Sequence, residues 1–355
     1  MYFGDIKMGK KYDKQTIKEK RRNPAISLAR VLAMFLIIQS HSDLLFPPSI
    51  SFLATGGALG NELFFLIGGY LYSCRDTFCR TTVKRFIRLY IPTYIMTLLL
   101  YITRVISLAD LQDPKEIIYR VIWPTSFWFV SAIFFDGIIL HLLENSTFLN
   151  NNKRKVLAIV LFTILNVLVY ILFVPQKDTW IVEDAKLLYG MFYYKCIYSF
   201  LVFYIGYGIK QFEQTGKRTN INDNLLLIGA VLSFLLFYGF KYALNRGFVP
   251  MNLQIISQPI TIICVLMIFL WIMNSKTIIA FLNKSGKIEK IVNGLGMLTL
   301  EAFLIQFELI RIISNTHISF PSNYIIAIVT ILVFSFIFNR FNQFICGSII
   351  KRLGL

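Results

Sequence analysis

Long apolar runs separated by short polar connections make up most of the chain. Many of these runs hold about twenty residues, the length that an α-helix needs to cross roughly 30 Å of hydrocarbon. We predict about ten spans, and no connection is long enough for a separate soluble domain. The pattern therefore predicts an all-α, polytopic membrane protein. The predicted spans cover residues 25–45, 52–73, 86–107, 121–143, 155–174, 190–209, 224–243, 254–274, 291–313 and 323–346.

Lysine and arginine are concentrated in alternate connections, and this alternation predicts the orientation. The stretch before the first span is rich in both residues, as are the second-to-third connection and the later even-numbered connections. Residues 47–51 and 315–324, which lie in odd-numbered connections, contain neither. Because cytoplasmic loops collect positive charge, both termini are predicted to be cytoplasmic. We therefore expect a basic cytoplasmic tail over residues 1–23 and a ten-helix transmembrane domain over residues 24–355.

Composition supports this class and narrows the chemistry. Hydrophobic residues make up 56% of the chain and charged residues 15%, which is too little charge for a soluble surface. The net charge of +17 follows mainly from the cationic connections, so nucleic acid is not needed to explain it. The five cysteines form no CxxC pair, and the three histidines are scattered along the chain. We therefore expect neither a metal site nor a tightly bound cofactor.

The first span carries two residues that are costly in lipid, Arg30 and His41. They are eleven residues apart, which corresponds to about three helical turns and a rise of roughly 16 Å. Both side chains are therefore predicted to lie on one face at different depths. Each also has an ordinary explanation, since an arginine can extend to the headgroups and a histidine can mark a helix end. Their shared face favours a joint role inside the bundle.

Two further sets of ionisable residues belong to the next two spans. Glu62 lies near the middle of the glycine-rich second span and is expected to face the bundle interior, where it could orient a histidine or take a proton. Arg85 and Arg88 are three residues apart at the start of the third span. Paired guanidinium groups suit phosphate because each donates parallel hydrogen bonds. The alternative for this pair is an ordinary cytoplasmic anchor.

The fourth and ninth spans add candidates for a second substrate. Trp128 fits either an interfacial aromatic belt or the wall of a sugar or acyl site. Glu301 and Glu308 are seven residues apart, near one helical face, and both could line a site. Glu308 could equally pair with Arg311, three residues further on. Lys195 in the sixth span is a buried cation without an assigned role.

The order and spacing of these motifs resemble the membrane-bound acyltransferase-3 family. Its members include O-acetyltransferases that modify bacterial lipopolysaccharide, peptidoglycan and exopolysaccharide. The resemblance covers the chain from about Asn23 onward, but Gly68 stands where the family often has serine. The matching features are Arg30 and His41 with ten residues between them, "GNELFFLIGGYL" from Gly60, Arg85 and Arg88 followed by Pro92, and "FWFVSAIFF" from Phe127.

This resemblance implies an O-acyltransferase, most simply an O-acetyltransferase of a bacterial cytoplasmic membrane. The donor would be cytosolic acetyl-CoA or a related acyl-CoA, bound by Arg30, Arg85 and Arg88. His41 would act as general base on a hydroxyl of a cell-surface or lipid-linked glycan, such as a lipopolysaccharide O-antigen, or would carry the acyl group transiently. Glu62 would orient the imidazole. Proteins of glycan assembly are the expected partners besides the bilayer.

Two alternatives remain open from the residues alone. A carrier or flippase for a lipid-linked glycan could use Glu62, Glu301 and Lys195 as coupling groups. No internal repeat of the kind common among transporters is visible in the sequence. A non-catalytic membrane scaffold is the second alternative. Transfer of label from acetyl-CoA to a glycan would distinguish an enzyme from both.

Overall fold

The described part of the chain in the computed structural model is helical throughout and contains no strand. It comprises residues 23–54, 56–73, 77–103, 127–145, 151–173, 185–215 and 222–355. Residues 1–22 of the predicted basic tail lie outside it. The all-α class is confirmed. The helices are α1 (Pro24–His41), α2 (Gly57–Leu71), α3 (Phe78–Ile102), α4 (Trp128–Asn145), α5 (Asn152–Phe173), α6 (Ala185–Gln214), α7 (Asp223–Asn245), α8 (Ser257–Asn274), α9 (Lys276–Lys284), α10 (Gly286–Leu295), α11 (Thr299–Ser314) and α12 (Ser322–Arg352).

Seven helices of the described part are long and apolar enough to cross a membrane, namely α1, α3, α4, α5, α7, α8 and α12. The other three predicted spans fall on α2, α6 and α11. Helices α2 and α11 have 15 and 16 residues and are short for a full crossing. The chain is thus a multi-pass membrane protein, and the count of ten spans stays a prediction.

The predicted ninth span differs from the observed helices. Residues 291–313 do not form one helix, because α10 ends at Leu295 and α11 begins at Thr299. Gly294 lies in the last turn of α10 and Gly296 is the first residue after it, and glycine lowers the stability of a continuous helix. The single predicted span is therefore two separate helices, α10 and α11.

Helix α1 begins at a well-defined cap. The Asn23 side chain accepts a hydrogen bond of 3.0 Å from the Ala25 N–H, and Pro24 occupies the first helical position. The helix then continues without interruption to His41. Arg30 and His41 therefore lie on one continuous helix, with Arg30 in its N-terminal half and His41 as its last residue.

Helix α2 packs between α1 and α6, and glycines allow the close approach. A Cβ atom on Gly60 would lie 2.6 Å from the Ile37 side chain of α1. A Cβ atom on Gly69 or on Gly206 would overlap the backbone of the facing helix at the α2–α6 contact. This close packing holds Glu62 inside the bundle, where 6% of its surface remains exposed.

Candidate active site

A cavity of about 310 Å³ lies beside the C-terminal end of α1, and we call it the His41 cavity. Residues from α1, α2, α4, α5, α6, α7, α8 and α11 form its wall, so it exists only in the assembled bundle. Most of its lining residues are polar or ionisable, which is unusual for space between membrane helices. The polar lining consists of His41, Asn61, Glu62, Tyr170, Lys195, Tyr198, Ser199, Lys241, Gln254, Ser257, Gln258 and Thr261.

His41 is the last residue of α1 and is partly exposed within this cavity. Its ring packs against Phe307 of α11, with the two ring centroids 4.2 Å apart and the planes inclined by 48°. The charges of Asp43 and Lys195 both act on the imidazole. The contact with Phe307 restricts the ring, so a base at this position is held rather than free to rotate.

Glu62 lines the same cavity from α2. Its Oε2 atom is buried and has no hydrogen-bond partner in the described part of the chain. Among the hydrogen bonds of the described residues, none joins Glu62 to His41, so an orienting role for Glu62 stays a prediction. Glu62 also interacts electrostatically with the buried Asp136, which accepts a 3.4 Å hydrogen bond from the Ser199 hydroxyl. Glu62 therefore contributes to the cavity wall a buried carboxyl oxygen that has no partner among the described residues.

A second cavity of about 640 Å³ lies near the N-terminal end of α1, and we call it the Arg30 cavity. Arg30 of α1 and Arg88 of α3 both line it, so the structure brings these two predicted donor-binding residues together. Glu301 of α11 also lines it, and its Oε1 accepts a 3.2 Å hydrogen bond from the Asn342 amide. Gly68 also lines this cavity, at a tightly packed point where a Cβ atom would lie 3.0 Å from the Phe203 ring and 3.2 Å from the Ile133 side chain.

Arg85 lies apart from both cavities. Its Nη2 atom donates a 2.7 Å hydrogen bond to the Ile133 carbonyl of α4, and its guanidinium lies 5.0 Å from the centroid of the Tyr72 ring. A Cβ atom on Gly137 would lie 2.5 Å from the guanidinium carbon, so glycine at this position makes room for the arginine. Arg85 thus joins α3 to α4, whereas Arg88 lines the Arg30 cavity.

The predicted acceptor-side residues divide between three environments. Trp128 lies in the wall of the His41 cavity, and the Lys195 ammonium lies 5.0 Å from the centroid of its ring. Glu301 is buried in the Arg30 cavity. Glu308 lines neither cavity and pairs with Arg311 at 2.7 Å. Seven residues advance a helix by about 10 Å, so the two glutamates share a face but not a depth.

Aromatic side chains separate the two cavities, and we call Phe64, Phe65, Phe129 and Phe303 the aromatic partition. Phe303 lines both cavities, so they meet at this residue. The ring centroid of Phe129 lies 5.1 Å from that of Phe303 and 4.8 Å from that of Phe65. A group bound in one cavity can therefore reach the other only if some of these rings move.

Several polar residues of the His41 cavity were not predicted from the sequence. Ser257, Gln258 and Thr261 line the cavity from the start of α8, and Gln254 lines it from the short 3₁₀ helix Met251–Ile256 just before it. Spacings of three and four residues relate these four side chains. Residues with that spacing form a polar stripe on an otherwise apolar span, and this stripe could have been used to predict a polar helix face. Lys241 gave no comparable local signal, because its place in the cavity depends on how α7 packs.

Comparison with known families identifies the class of protein. A family model described as an acyltransferase domain matches residues 23–340. The chain therefore belongs to the acyltransferase-3 family, and it is a membrane-embedded acyltransferase. A search among curated proteins found no match, and neither did a search among solved structures.

Proposed function

We propose that the protein transfers an acetyl group from cytosolic acetyl-CoA to a hydroxyl of a cell-surface or lipid-linked glycan. The observation that carries this proposal is the pair of cavities that meet at Phe303. One cavity contains two arginines and the other contains a histidine among polar groups. A donor with phosphate groups and an acceptor with hydroxyl groups can thus approach from opposite ends of the same helix.

The Arg30 cavity is suited to the donor. CoA carries several phosphate charges, and guanidinium groups bind such charges through paired hydrogen bonds. Arg88 is exposed, so it can contact phosphate groups at the mouth while the narrow pantetheine arm enters the cavity. The cationic connections support a cytoplasmic position for this end of the bundle. Arg85 would act indirectly, because its contacts hold α3 against α4.

The His41 cavity would hold the acceptor and its base. The His41 imidazole takes the proton of the acceptor hydroxyl as the oxygen attacks the thioester carbonyl carbon. The carbon–sulfur bond then breaks, and the CoA thiolate leaves and receives the proton. Glu62 would stabilise the imidazolium that forms between these steps. An acyl-histidine intermediate is the alternative route, in which the imidazole nitrogen attacks first.

The aromatic partition adds a requirement to this scheme. Because Phe303 and Phe129 lie between the cavities, the thioester can reach His41 only after these rings are displaced. The acetyl group would cross the membrane on the pantetheine arm while the nucleotide stays in the cytosol. The acceptor would come from the glycan-assembly proteins of a bacterial cytoplasmic membrane.

Substitution of the base tests the proposal directly. We expect His41→Ala to abolish transfer of labelled acetyl from acetyl-CoA to a glycan acceptor by the purified protein, because no other described lining residue is an imidazole. His317→Ala is the matched control, since His317 is exposed outside the cavities and its loss should leave transfer unchanged. Full activity of His41→Ala would refute the assignment. Movement of the acceptor without release of CoA would instead identify a carrier.

A further inference from the structure

The His41 cavity contains two cations for which the proposed reaction has no use. Lys195 of α6 and Lys241 of α7 both line it, and Glu62 is the single carboxylate among its described lining residues. In the described part of the chain, neither lysine forms an ion pair with a carboxylate. Two lysines from different helices therefore share a space with one carboxyl group, so cationic side chains outnumber acidic ones among the described residues there.

Such an excess of positive charge is costly in a membrane protein. An ammonium group that has lost water is stabilised only by a negative charge, by hydrogen-bond acceptors or, more weakly, by an aromatic face. Lys195 lies over the face of Trp128, with 5.0 Å from its nitrogen to the ring centroid. Ionisable side chains within a bundle are usually retained because they bind something. The missing counter-charge is then expected from the ligand.

We infer that the acceptor is an anionic saccharide whose carboxylate or phosphate group is bound by Lys195 and Lys241. This inference rests on the proposed function, because it specifies the class of acceptor that receives the acetyl group. The anionic group would hold the sugar so that a nearby hydroxyl faces His41. Gln258 supplies a further donor, because its Nε2 atom is buried without a partner among the described residues. Trp128 supplies an apolar wall for the sugar ring.

Equilibrium binding to the full-length protein in phosphatidylcholine nanodiscs tests this inference without any donor. The probes are a labelled uronic acid oligosaccharide, its carboxyl-reduced neutral counterpart, and the neutral oligosaccharide carrying a phosphate ester. We expect at least one anionic probe to bind roughly tenfold or more tightly than the neutral probe, because each buried charge pair contributes about this much. The uronate and phosphate probes distinguish the two sources of charge.

Charge-removing variants locate the interaction. Lys195→Gln with Lys241→Gln should abolish the preference for the anionic probe, whereas Lys195→Arg should retain most of it. Lys153→Gln is the matched control, because Lys153 is exposed on α5 and does not line the cavity. Equal binding of neutral and anionic probes, no binding of either, or an unchanged preference in the double variant would overturn the inference.

The proposed function and this inference can fail separately. Selective binding of an anionic probe without acetyl transfer to it, or to any glycan, would refute the transfer reaction and keep the lysine site. Efficient acetyl transfer to neutral and anionic glycans alike would keep the reaction and overturn the lysine site.

Discussion

At the scale of single residues, the two arginines of α3 lie only three positions apart and yet have different surroundings. Residues three apart point about 60° from each other. Arg85 therefore meets α4, where it donates a hydrogen bond to the Ile133 carbonyl, while Arg88 lines the Arg30 cavity. The same motif thus supplies one contact that joins two helices and one residue of a cavity wall.

Replacing each arginine should separate donor binding from stability. We predict that Arg88→Gln raises the KM for acetyl-CoA about tenfold, because a hydrogen-bonded phosphate contact contributes roughly 1.5 kcal/mol. Arg85→Gln should mainly lower the melting temperature of the protein, with a smaller change in KM, because the hydrogen bond that joins α3 to α4 is lost. Steady-state kinetics with thermal unfolding of both variants measures the difference. A larger KM change in Arg85→Gln would return Arg85 to direct donor binding.

At the scale of helices, the contact between α2 and α6 positions both cavities. Glu62 belongs to α2 and Lys195 to α6, and both line the His41 cavity, while Gly68 of α2 lines the Arg30 cavity. Gly69 and Gly206 allow these two helices to touch through their backbones. A small change in their separation would therefore alter the shape of both cavities at once.

Adding one methyl group at this contact should lower the stability of the protein. A Cβ atom on Gly206 would overlap the Leu66 carbonyl oxygen, which as backbone cannot turn aside. We predict that Gly206→Ala destabilises the protein by about 1–3 kcal/mol or more. Gly208→Ala on the same helix is the control, because a Cβ there meets nothing within 4 Å. Thermal unfolding in detergent compares the two, and equal stability of the variants would contradict this account of the contact.

The sequence predicts features of this fold that depend on one helix and misses those that depend on packing. Arg30 and His41 could be assigned to one face because helical geometry is local, and each now lines a cavity. The divergence of Arg85 from Arg88 could not be predicted, since it depends on which helices flank α3. Lys241 was missed for the same reason, because α7 meets the cavity through tertiary packing. The glycines near Leu295 could have indicated the end of a helix, but the long apolar run around them suggested one continuous span.

At the scale of the whole molecule, the aromatic partition divides the interior of the bundle into two cavities instead of one continuous channel. Phe303 touches both cavities, and its ring lies 5.1 Å from that of Phe129 between centroids. A protein that moves an acyl group across a membrane must keep water away from the thioester until the acceptor is bound. In the proposed reaction, the rings would keep water from the thioester by closing the route between the two ends.

Removing a ring of the aromatic partition should increase hydrolysis of the donor without transfer to an acceptor. We predict that Phe303→Ala raises acceptor-independent hydrolysis of acetyl-CoA severalfold relative to transfer, because loss of the ring joins the two cavities and admits water to the thioester. Phe344→Ala makes the same change on α12, where the side chain is 75% exposed, and should leave the ratio unchanged. Release of the CoA thiol, measured with and without acceptor, gives both rates. A ratio in Phe303→Ala equal to that of the unmodified protein would show that the rings do not separate donor from water.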